Sequence, residues 1–397
     1  MSSSLVEYPS SRRFFGDGAM VRGRDGLLRY GSLEPSLSEL LDVAVHRYAD
    51  RVAVEELDGR AVTYAGLWQS AAQVAGGLKA HGVEIGDRVA VRQPVGVRWV
   101  EAFLGVVLAG GVPVMVDPAW DRRRIGQVEA DSGSVFTLAA DLPEDVSFID
   151  DGAGPDEMAL LAYTFDTGSV TGVELTNENL LSSIESVVHL WGFGTAGIRN
   201  LLVDPDLQRV SSVVELLSTL VIGGTAILTT STEVQSWWSS GADVLTTTSD
   251  TLLTALESHD VTDFGRRAVR WIDYGGSSAV AEDTKILREA FPAAKHFAGW
   301  GRTETCGVGL VLPDECGLSH ADSVGIAFGG MEVALHGRDA ERGRGELLCR
   351  GPGVARGYWN RPEQTAKAFT GGWFHTGDSA SIDGDGFVRI TTGEAVA

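Results

Sequence analysis

Hydrophobic and polar positions follow one another along the chain in patterns that predict helices and short strands in turn. Apolar residues recur at helical spacing over 64–81, where Gly82 is the expected stop, and again over 99–109. β-Branched runs typical of buried strands occur at 88–91, 112–116, 200–203, 225–228, 244–248 and 269–273. Strands that alternate with helices predict an α/β protein with largely parallel sheets.

The pattern changes near residue 323. Short strand-like segments at 332–336, 345–349 and 386–390 follow one another with glycine-rich turns, which predicts a small antiparallel lobe. We therefore expect three units. They are a first α/β subdomain over 1–180, a second over 181–320 and a small β lobe over 321–397.

Composition and charge narrow the classes of function. The 397 residues are 44% hydrophobic and 22% charged, which is an ordinary globular balance. The 54 acidic against 32 basic residues give a net charge of −22, which repels nucleic-acid backbones and anionic lipid, so we expect no binding to either. The sequence has three cysteines and shows no Cys/His cluster at zinc spacing, no signal peptide and no membrane-spanning segment. These features favour a cytoplasmic protein.

A set of ordered motifs carries the most specific signal. In the last third of the chain they are Gly-Trp-Gly-Arg-Thr-Glu-Thr at 299–305, Gly-Glu-Leu-Leu at 345–348, a Gly-Pro-Gly segment at 351–359 and Trp-Phe-His-Thr-Gly-Asp at 373–378. With segments 62–67, 108–118 and 273–278, they resemble the core motifs of the adenylate-forming superfamily. That superfamily holds acyl-CoA synthetases, peptide-synthetase adenylation domains and luciferases. The resemblance covers about residues 35–392 and implies the large N-terminal domain of that fold, with two α/β subdomains and a small antiparallel lobe.

The resemblance also implies the roles of particular residues. The implied nucleotide- or CoA-binding set is Gly275, Gly276, Ser277, Trp300 and Asp378. Trp300 would stack on adenine, and Asp378 would accept both ribose hydroxyls, because a carboxylate can take two hydrogen bonds at once. Thr303 would approach the α-phosphate, and Glu304 would be the metal ligand if a Mg-nucleotide binds.

The phosphate-binding loop departs from the family pattern. In the family, a Thr/Ser/Gly-rich loop that ends in Pro-Lys-Gly embraces the β- and γ-phosphates of ATP. Here the segment is one residue short and lacks the lysine, and Phe165 and Asp166 replace small neutral residues. Because small residues and a cation are what a phosphate cradle needs, we expect a degenerate loop and no requirement for Mg-ATP. The loop positions are Thr164, Asp166, Thr167, Gly168 and Ser169.

Two further departures bear on the reaction. Leu207 and Gln208 stand where the family usually has an aromatic residue followed by histidine, so we expect an altered acyl pocket that includes Gln208 and Gly307. The family's C-terminal domain carries the lysine that drives adenylation. The sequence ends near the position of the hinge to that domain, and we expect the domain to be absent.

Cys306 decides between the possible functions. It follows Glu304 by two residues, where the family's chain lines the acyl pocket, so its thiol could form a thioester; the alternative is a small buried residue in a glycine-flanked strand. With Cys306, Glu304 and Thr303 as catalytic residues, the first expectation is ATP-independent transfer of an acyl or aryl group. A CoA thioester is the candidate donor, the thiol of an acyl carrier protein is the candidate acceptor, and no cofactor is required. The alternatives are a residual AMP-forming acyl-CoA or acyl-carrier-protein ligase that uses a C-terminal domain in trans, and a non-catalytic binding protein.

Overall fold

The protein is a layered α/β molecule built around three main sheets. The computed structural model describes residues 4–8, 20–57, 59–166, 169–192, 197–203, 207–230, 234–257, 267–275 and 281–391. The strands, in chain order, are β1 Ser4–Tyr8, β2 Met20–Arg22, β3 Leu28–Tyr30, β4 Val52–Glu56, β5 Ala61–Thr63, β6 Arg88–Val91, β7 Val112–Met115, β8 Phe136–Leu138, β9 Met158–Asp166, β10 Ser169–Thr176, β11 Arg199–Val203, β12 Thr225–Thr229, β13 Val244–Thr248, β14 Trp271–Gly275, β15 Lys295–Trp300, β16 Leu310–Leu312, β17 Ile326–Ala327, β18 Glu332–Gly337, β19 Arg344–Arg350, β20 Gly357–Tyr358, β21 Phe369–Thr370, β22 Trp373–Ile382 and β23 Val388–Ile390. The α-helices are α1 Leu37–Tyr48, α2 Tyr64–Ala80, α3 Val97–Leu108, α4 Arg122–Ser132, α5 Asn177–Trp191, α6 Val210–Val221, α7 Val234–Ser239, α8 Ser249–Glu257, α9 Ala281–Ala290 and α10 Pro362–Ala368.

The first two sheets are mostly parallel, as the alternating pattern predicted. The first sheet has the order β20-β10-β9-β7-β6-β8, with parallel pairing from β9 to β8. The second sheet has the order β17-β16-β15-β14-β13-β11-β12-β4-β5, and its central strands from β15 to β4 are parallel. The α/β prediction is therefore confirmed.

The third sheet is antiparallel and forms the small lobe. Its order is β1-β18-β19-β22-β21, with β23 paired to β22. One face covers a core that includes Val333, Leu335 and Leu347. The predicted antiparallel lobe is therefore confirmed.

Some strands join a sheet that lies outside their own stretch of sequence. β4 and β5 complete the second sheet, β20 extends the first, and β1 forms an edge of the third. Sheets built from distant segments do not mark linear boundaries, so the division of the chain at residues 180 and 320 stays a prediction.

Local signals explain where the predicted helices begin. α2 begins at Tyr64 because the Thr63 hydroxyl accepts the Gly66 N–H at 3.1 Å, which is a side-chain N-cap. α3 begins two residues before the predicted start, since the Val97 N–H donates to the carboxylate of Glu56 at 2.9 Å. That acceptor comes from β4, so periodicity alone could not reveal it.

Close contacts join the layers around the core. A side chain at Gly105 of α3 would lie 2.5 Å from Val74 Cγ1, so glycine allows α2 and α3 to pack tightly. The buried hydroxyl of Tyr64 lies 2.8 Å from the carbonyl oxygen of Leu220, which ties α2 to α6. Within the described residues, no helix has both the length and the apolar character needed to cross a bilayer.

Candidate active site

One cavity of about 1350 Å³ lies where the three sheets meet. The second sheet contributes the carboxyl-terminal parts of β11, β13, β14 and β15, the first sheet contributes β9 and β10, and the third contributes Asp378 of β22. Ligands of open parallel sheets bind at the carboxyl ends of the strands. The cavity is therefore the candidate active site.

A tight loop after β15 carries two of the predicted catalytic residues to this cavity. Thr303–Thr305 forms one turn of 3₁₀ helix, and the Arg302 N–H donates to the Thr305 hydroxyl at 2.9 Å. The loop ends at Gly307, which has φ +83° and whose Cβ, if present, would lie 2.4 Å from the Ser211 backbone nitrogen. Only glycine allows this approach, and the result is that Thr303 and Glu304 line the cavity.

Glu304 is held by the first sheet. Only 7% of it is exposed, and its Oε1 accepts the Tyr358 hydroxyl at 2.9 Å. Burial, followed by the negative charge of Glu304, raises the pKa of Tyr358, so the phenol stays protonated and remains a donor. No second hydrogen bond to this carboxylate occurs among the described residues. An oxygen that still has lone pairs available fits a hard cation such as Mg²⁺.

Asp378, the expected ribose acceptor, is engaged by an arginine. Arg302 Nε donates to its Oδ2 at 3.0 Å, and a second guanidinium nitrogen donates to Oδ1, giving a bidentate ion pair. Asp378 is 20% exposed and Arg302 39% exposed at the side chain. Both line the cavity, so the two carboxylate oxygens that a ribose would use already have a partner.

The expected phosphate loop is the end of a β-hairpin. β9 and β10 stay paired up to Asp166 and Ser169, so only positions 167–168 separate the two strands. Phe165 packs edge-on against Trp120 at 4.9 Å between ring centroids, and the Arg124 guanidinium lies 3.5 Å above the Phe165 ring. Thr164 and Phe165 line the cavity.

Cys306 does not lie on the cavity wall. Its exposure is 0%, and it packs in the largest core cluster rather than in a strand; with φ +54° it caps the 3₁₀ turn. Burial raises the pKa of its thiol to about 12, although a hydrogen bond with Ser183 lowers it in part. The Cys306 thiol is therefore buried away from the cavity, with a pKa that favours the protonated form, so the geometry does not support its assignment as the nucleophile.

Two acidic side chains line the cavity close together. Glu215 comes from α6 and Asp273 from β14, beside Phe297 in the parallel register of β15. Burial raises the pKa of Asp273 to about 6; burial and the nearby Asp273 charge raise the pKa of Glu215 well above its usual value. Trp191 Nε1 lies 3.4 Å from Asp273 Oδ2. Across the described residues, no arginine or lysine forms an ion pair with either acid.

The structure brings together many, but not all, of the predicted site residues. Those that line the cavity are Thr164, Gln208, Trp300, Thr303, Glu304, Gly307 and Asp378. Ser169 does not line it, and the surroundings of Gly275 lie outside what the structure describes. Gly276, Ser277, Thr167, Gly168 and the side chain of Asp166 lie outside the described residues.

The sequence also contained signals for residues that were not predicted. Arg302 and Tyr358 lie inside the quoted motifs, and Asp273 stands two residues before the glycine pair at 275–276. Glu215 is the one acidic residue of α6, a helix that is otherwise uncharged and mostly apolar, and such an isolated charge indicates a candidate functional residue. Their mutual contacts could not be read from sequence.

Comparisons with known proteins agree with the fold. The profile of the family described as AMP-binding enzyme matches residues 41–157 and 149–359. A feruloyl-CoA synthase of Amycolatopsis sp is 29% identical over 363 residues, covering 84% of this chain and 73% of that protein. The long-chain-fatty-acid–CoA ligase FadD13 of Mycobacterium tuberculosis is 28% identical over 380 residues, covering 83% and 73%.

Solved structures show the same architecture. The N-terminal domain of FACL13 from Mycobacterium tuberculosis superposes with a TM-score of 0.80 at 24% identity, over 90% of this chain and 100% of that one. The fold is thus that of the N-terminal domain of acyl-CoA ligases. Since the family profile also spans most of the sequence, from residue 41 to residue 359, the chain belongs to the AMP-binding enzyme family.

Proposed function

We propose that this chain activates a small carboxylic acid with ATP, forming an acyl-adenylate in the manner of an AMP-forming acyl-CoA ligase. One observation carries the proposal: residues of separate motifs, Trp300, Glu304 and Asp378, line a single cavity together with apolar side chains such as Leu190 and Phe297. A polar end for a nucleotide and an apolar wall for an acyl group suit this reaction. The relatives named as acyl-CoA ligases support it further.

The chemistry assigns distinct tasks to the side chains. A carboxylate oxygen of the acid attacks the α-phosphorus of ATP, the bond to the β-phosphate oxygen breaks, and pyrophosphate leaves. Mg²⁺, when bound, would offset the negative charge of the phosphates. Tyr358 orients the Glu304 carboxylate that would hold this ion, and the Thr303 hydroxyl would donate to an α-phosphate oxygen.

Adenylate formation tests the proposal directly. The purified chain, incubated with millimolar Mg-ATP, a panel of acids and hydroxylamine, should produce a hydroxamate, because hydroxylamine traps acyl-adenylates. Glu304→Gln keeps an acceptor for Tyr358 but removes the charge, and we expect the rate to fall about a hundredfold or more. The matched control Glu315→Gln, at an exposed position, should leave the rate unchanged. Absence of hydroxamate with every acid would contradict the proposal.

The Arg302–Asp378 ion pair should weaken nucleotide binding. A ribose can bind Asp378 only if its hydroxyls displace a bidentate, charge-assisted pair. The hairpin adds to this effect, because it lacks the lysine that the family uses at the β- and γ-phosphates. We therefore expect ATP to bind more weakly than in a synthetase with the complete loop.

Adenosine, which has a ribose and no phosphate, isolates this competition. In Arg302→Gln, Asp378 is released, so adenosine affinity measured by calorimetry should rise roughly five- to tenfold, or about 1–1.4 kcal/mol. Arg124→Gln, which removes another cavity arginine that packs on Phe165, should have no such effect. Unchanged adenosine affinity in Arg302→Gln would show that Asp378 is not the ribose acceptor.

Glu215 and Asp273 support a more specific class of substrate than carboxylic acids in general: a carboxylic acid that also carries a positively charged group. Two neighbouring buried carboxylates without a counter-ion are costly, and a cationic ligand removes that cost. Glu215 and Asp273 both line the cavity, next to the apolar wall at Phe297. An ammonium group on the substrate would take the place of the counter-ion that no arginine or lysine of the described residues supplies as an ion pair.

Matched acids test this preference. We expect 4-(aminomethyl)benzoate and 6-aminohexanoate to be adenylated in preference to 4-methylbenzoate and hexanoate, and we expect the double variant Glu215→Gln with Asp273→Asn to abolish the difference.

The preference for the amino acids of each pair should increase as pH rises through about 6, because Asp273 then loses its proton. Because the two carboxyl pKa values are raised in the folded protein, the folded chain binds these protons more tightly than the unfolded chain does. Without ligand, the free energy of unfolding should therefore decrease as the pH rises to about 6, and it should decrease less in the double variant. Equal rates for both acids of each pair would rule out this substrate class while leaving adenylation intact.

Acyl transfer through Cys306, the first expectation from sequence, receives no support from the geometry. A pKa of about 12 leaves roughly one thiolate in 10⁵ at neutral pH. Cys306, Cys316 and Cys349 are all buried, so none should react with a thiol reagent in the native protein, and all three should react after denaturation. Rapid reaction of Cys306 with the thiol reagent in the native protein would support acyl transfer through this residue. So would an acyl group on Cys306 after incubation with acyl-CoA.

A further inference from the structure

Three side chains that can bind a transition metal lie together in the small lobe. They are His336 of β18, Glu346 of β19 and His375 of β22, and one ligand atom from each lies within 4.8 Å of the other two. None of the three lines the cavity, so the adenylation chemistry does not account for them. They come from separate stretches of the sequence, and no Cys/His spacing pattern signals them.

The strand register brings these side chains to one face. His336 is the direct partner of Glu346 across β18 and β19, and paired residues of antiparallel strands project to the same side. Between β19 and β22 the ladder is irregular: Glu346 pairs with Ser379, whereas Leu348 pairs with His375. Three residues of β22, 376–378, therefore stand opposite Leu347 alone, and this bulge lets His375 reach Glu346.

The ligand atoms converge on one carboxylate oxygen. Glu346 Oε2 lies 3.0 Å from His375 Nδ1 and 3.8 Å from His336 Nδ1, and the two imidazole rings stand at 80° with centroids 5.6 Å apart. A tetrahedral zinc ion with bonds near 2.0–2.1 Å needs ligand atoms about 3.3 Å apart. The two separations between Glu346 and the histidines, 3.0 and 3.8 Å, lie on either side of that value.

Support and access around the three side chains also suit a metal. Glu346 Oε1 accepts the Gly377 N–H at 3.2 Å, which fixes the carboxylate from its other oxygen. The side chains of His336, Glu346 and His375 are 38%, 17% and 24% exposed, so an ion can enter and water can complete its coordination. The net charge of −22 raises the local concentration of cations.

We propose that His336, Glu346 and His375 form a binding site for Zn²⁺ or a similar divalent transition metal. Two imidazoles and one carboxylate are a ligand set for zinc, whereas Mg²⁺ and Ca²⁺ prefer oxygen ligands alone. Such an ion ties β18, β19 and β22 together. It also braces the bulge whose last residue, Asp378, lies on the wall of the cavity.

Metal titration of the full chain tests this site without any assay of activity. After chelator treatment and dialysis, Zn²⁺ is added in competition with a chromophoric chelator. We expect one ion per chain with a dissociation constant in the micromolar range or below, and a higher melting temperature with the ion present. Mg²⁺ at the same concentration should neither displace Zn²⁺ from the chain nor raise the melting temperature.

Single substitutions assign the ligands. His336→Ala, His375→Ala and Glu346→Gln should each weaken Zn²⁺ binding at least tenfold. The matched control is His189→Ala. It removes a histidine that is paired to the carboxylate of Glu185 and belongs to no group of three metal ligands among the described residues, so the variant should bind Zn²⁺ as the unaltered chain does. Circular dichroism checks that each variant is folded.

The absorption spectrum of bound Co²⁺ is a second measurement, and it reports on the ligand set rather than on affinity. Co²⁺ at the site should show the visible absorption of a low-coordinate nitrogen–oxygen ligand set, and the spectrum should change in each of the two histidine variants. Stoichiometric binding that survives both histidine substitutions would overturn the proposal. So would failure of the unaltered chain to bind Zn²⁺ at a micromolar concentration, which would leave His375–Glu346 as an ordinary hydrogen-bonded pair.

Discussion

The backbone packing of the loop at 301–307 is the constraint on which the site depends. A side chain at Gly301 would lie 2.2 Å from the Gly307 carbonyl oxygen, and one at Gly307 would lie 2.4 Å from the Ser211 nitrogen. With both positions glycine, the loop closes on itself and rests on α6. The side chains of Glu304 and Arg302 then reach different sheets of the molecule.

Three contacts show how this loop joins the sheets. The Glu304 side chain meets Tyr358 of the first sheet, the Arg302 side chain meets Asp378 of the third, and the loop itself extends β15 of the second. The Glu304 carbonyl oxygen also accepts the Ala355 N–H at 2.8 Å. A cavity bounded by three sheets depends on such a junction, because its lining residues come from all three.

Charge within the cavity is distributed unevenly. Asp378 is neutralised by a bidentate arginine, and Glu304 accepts a phenolic hydroxyl, whereas Glu215 and Asp273 share a buried region and form no ion pair with an arginine or lysine of the described residues. Stability alone does not favour the last arrangement, since apolar residues of similar volume would avoid the desolvation of two carboxylates. Two buried acids without an ion-pair partner fit the positively charged substrate group proposed above.

The sequence by itself determined the order of helices and strands, the antiparallel lobe and, through ordered motifs, the family. These properties are local: periodicity and turn residues act over a few positions, and a motif is read without knowing what lies beside it. The burial of Cys306, the pairing of Arg302 with Asp378, the approach of Glu215 to Asp273 and the grouping of His336 with His375 were decided only by the tertiary structure. Each depends on sheet register or on which strand ends meet, and residues 39 to 76 positions apart carry no mark in sequence that they will touch.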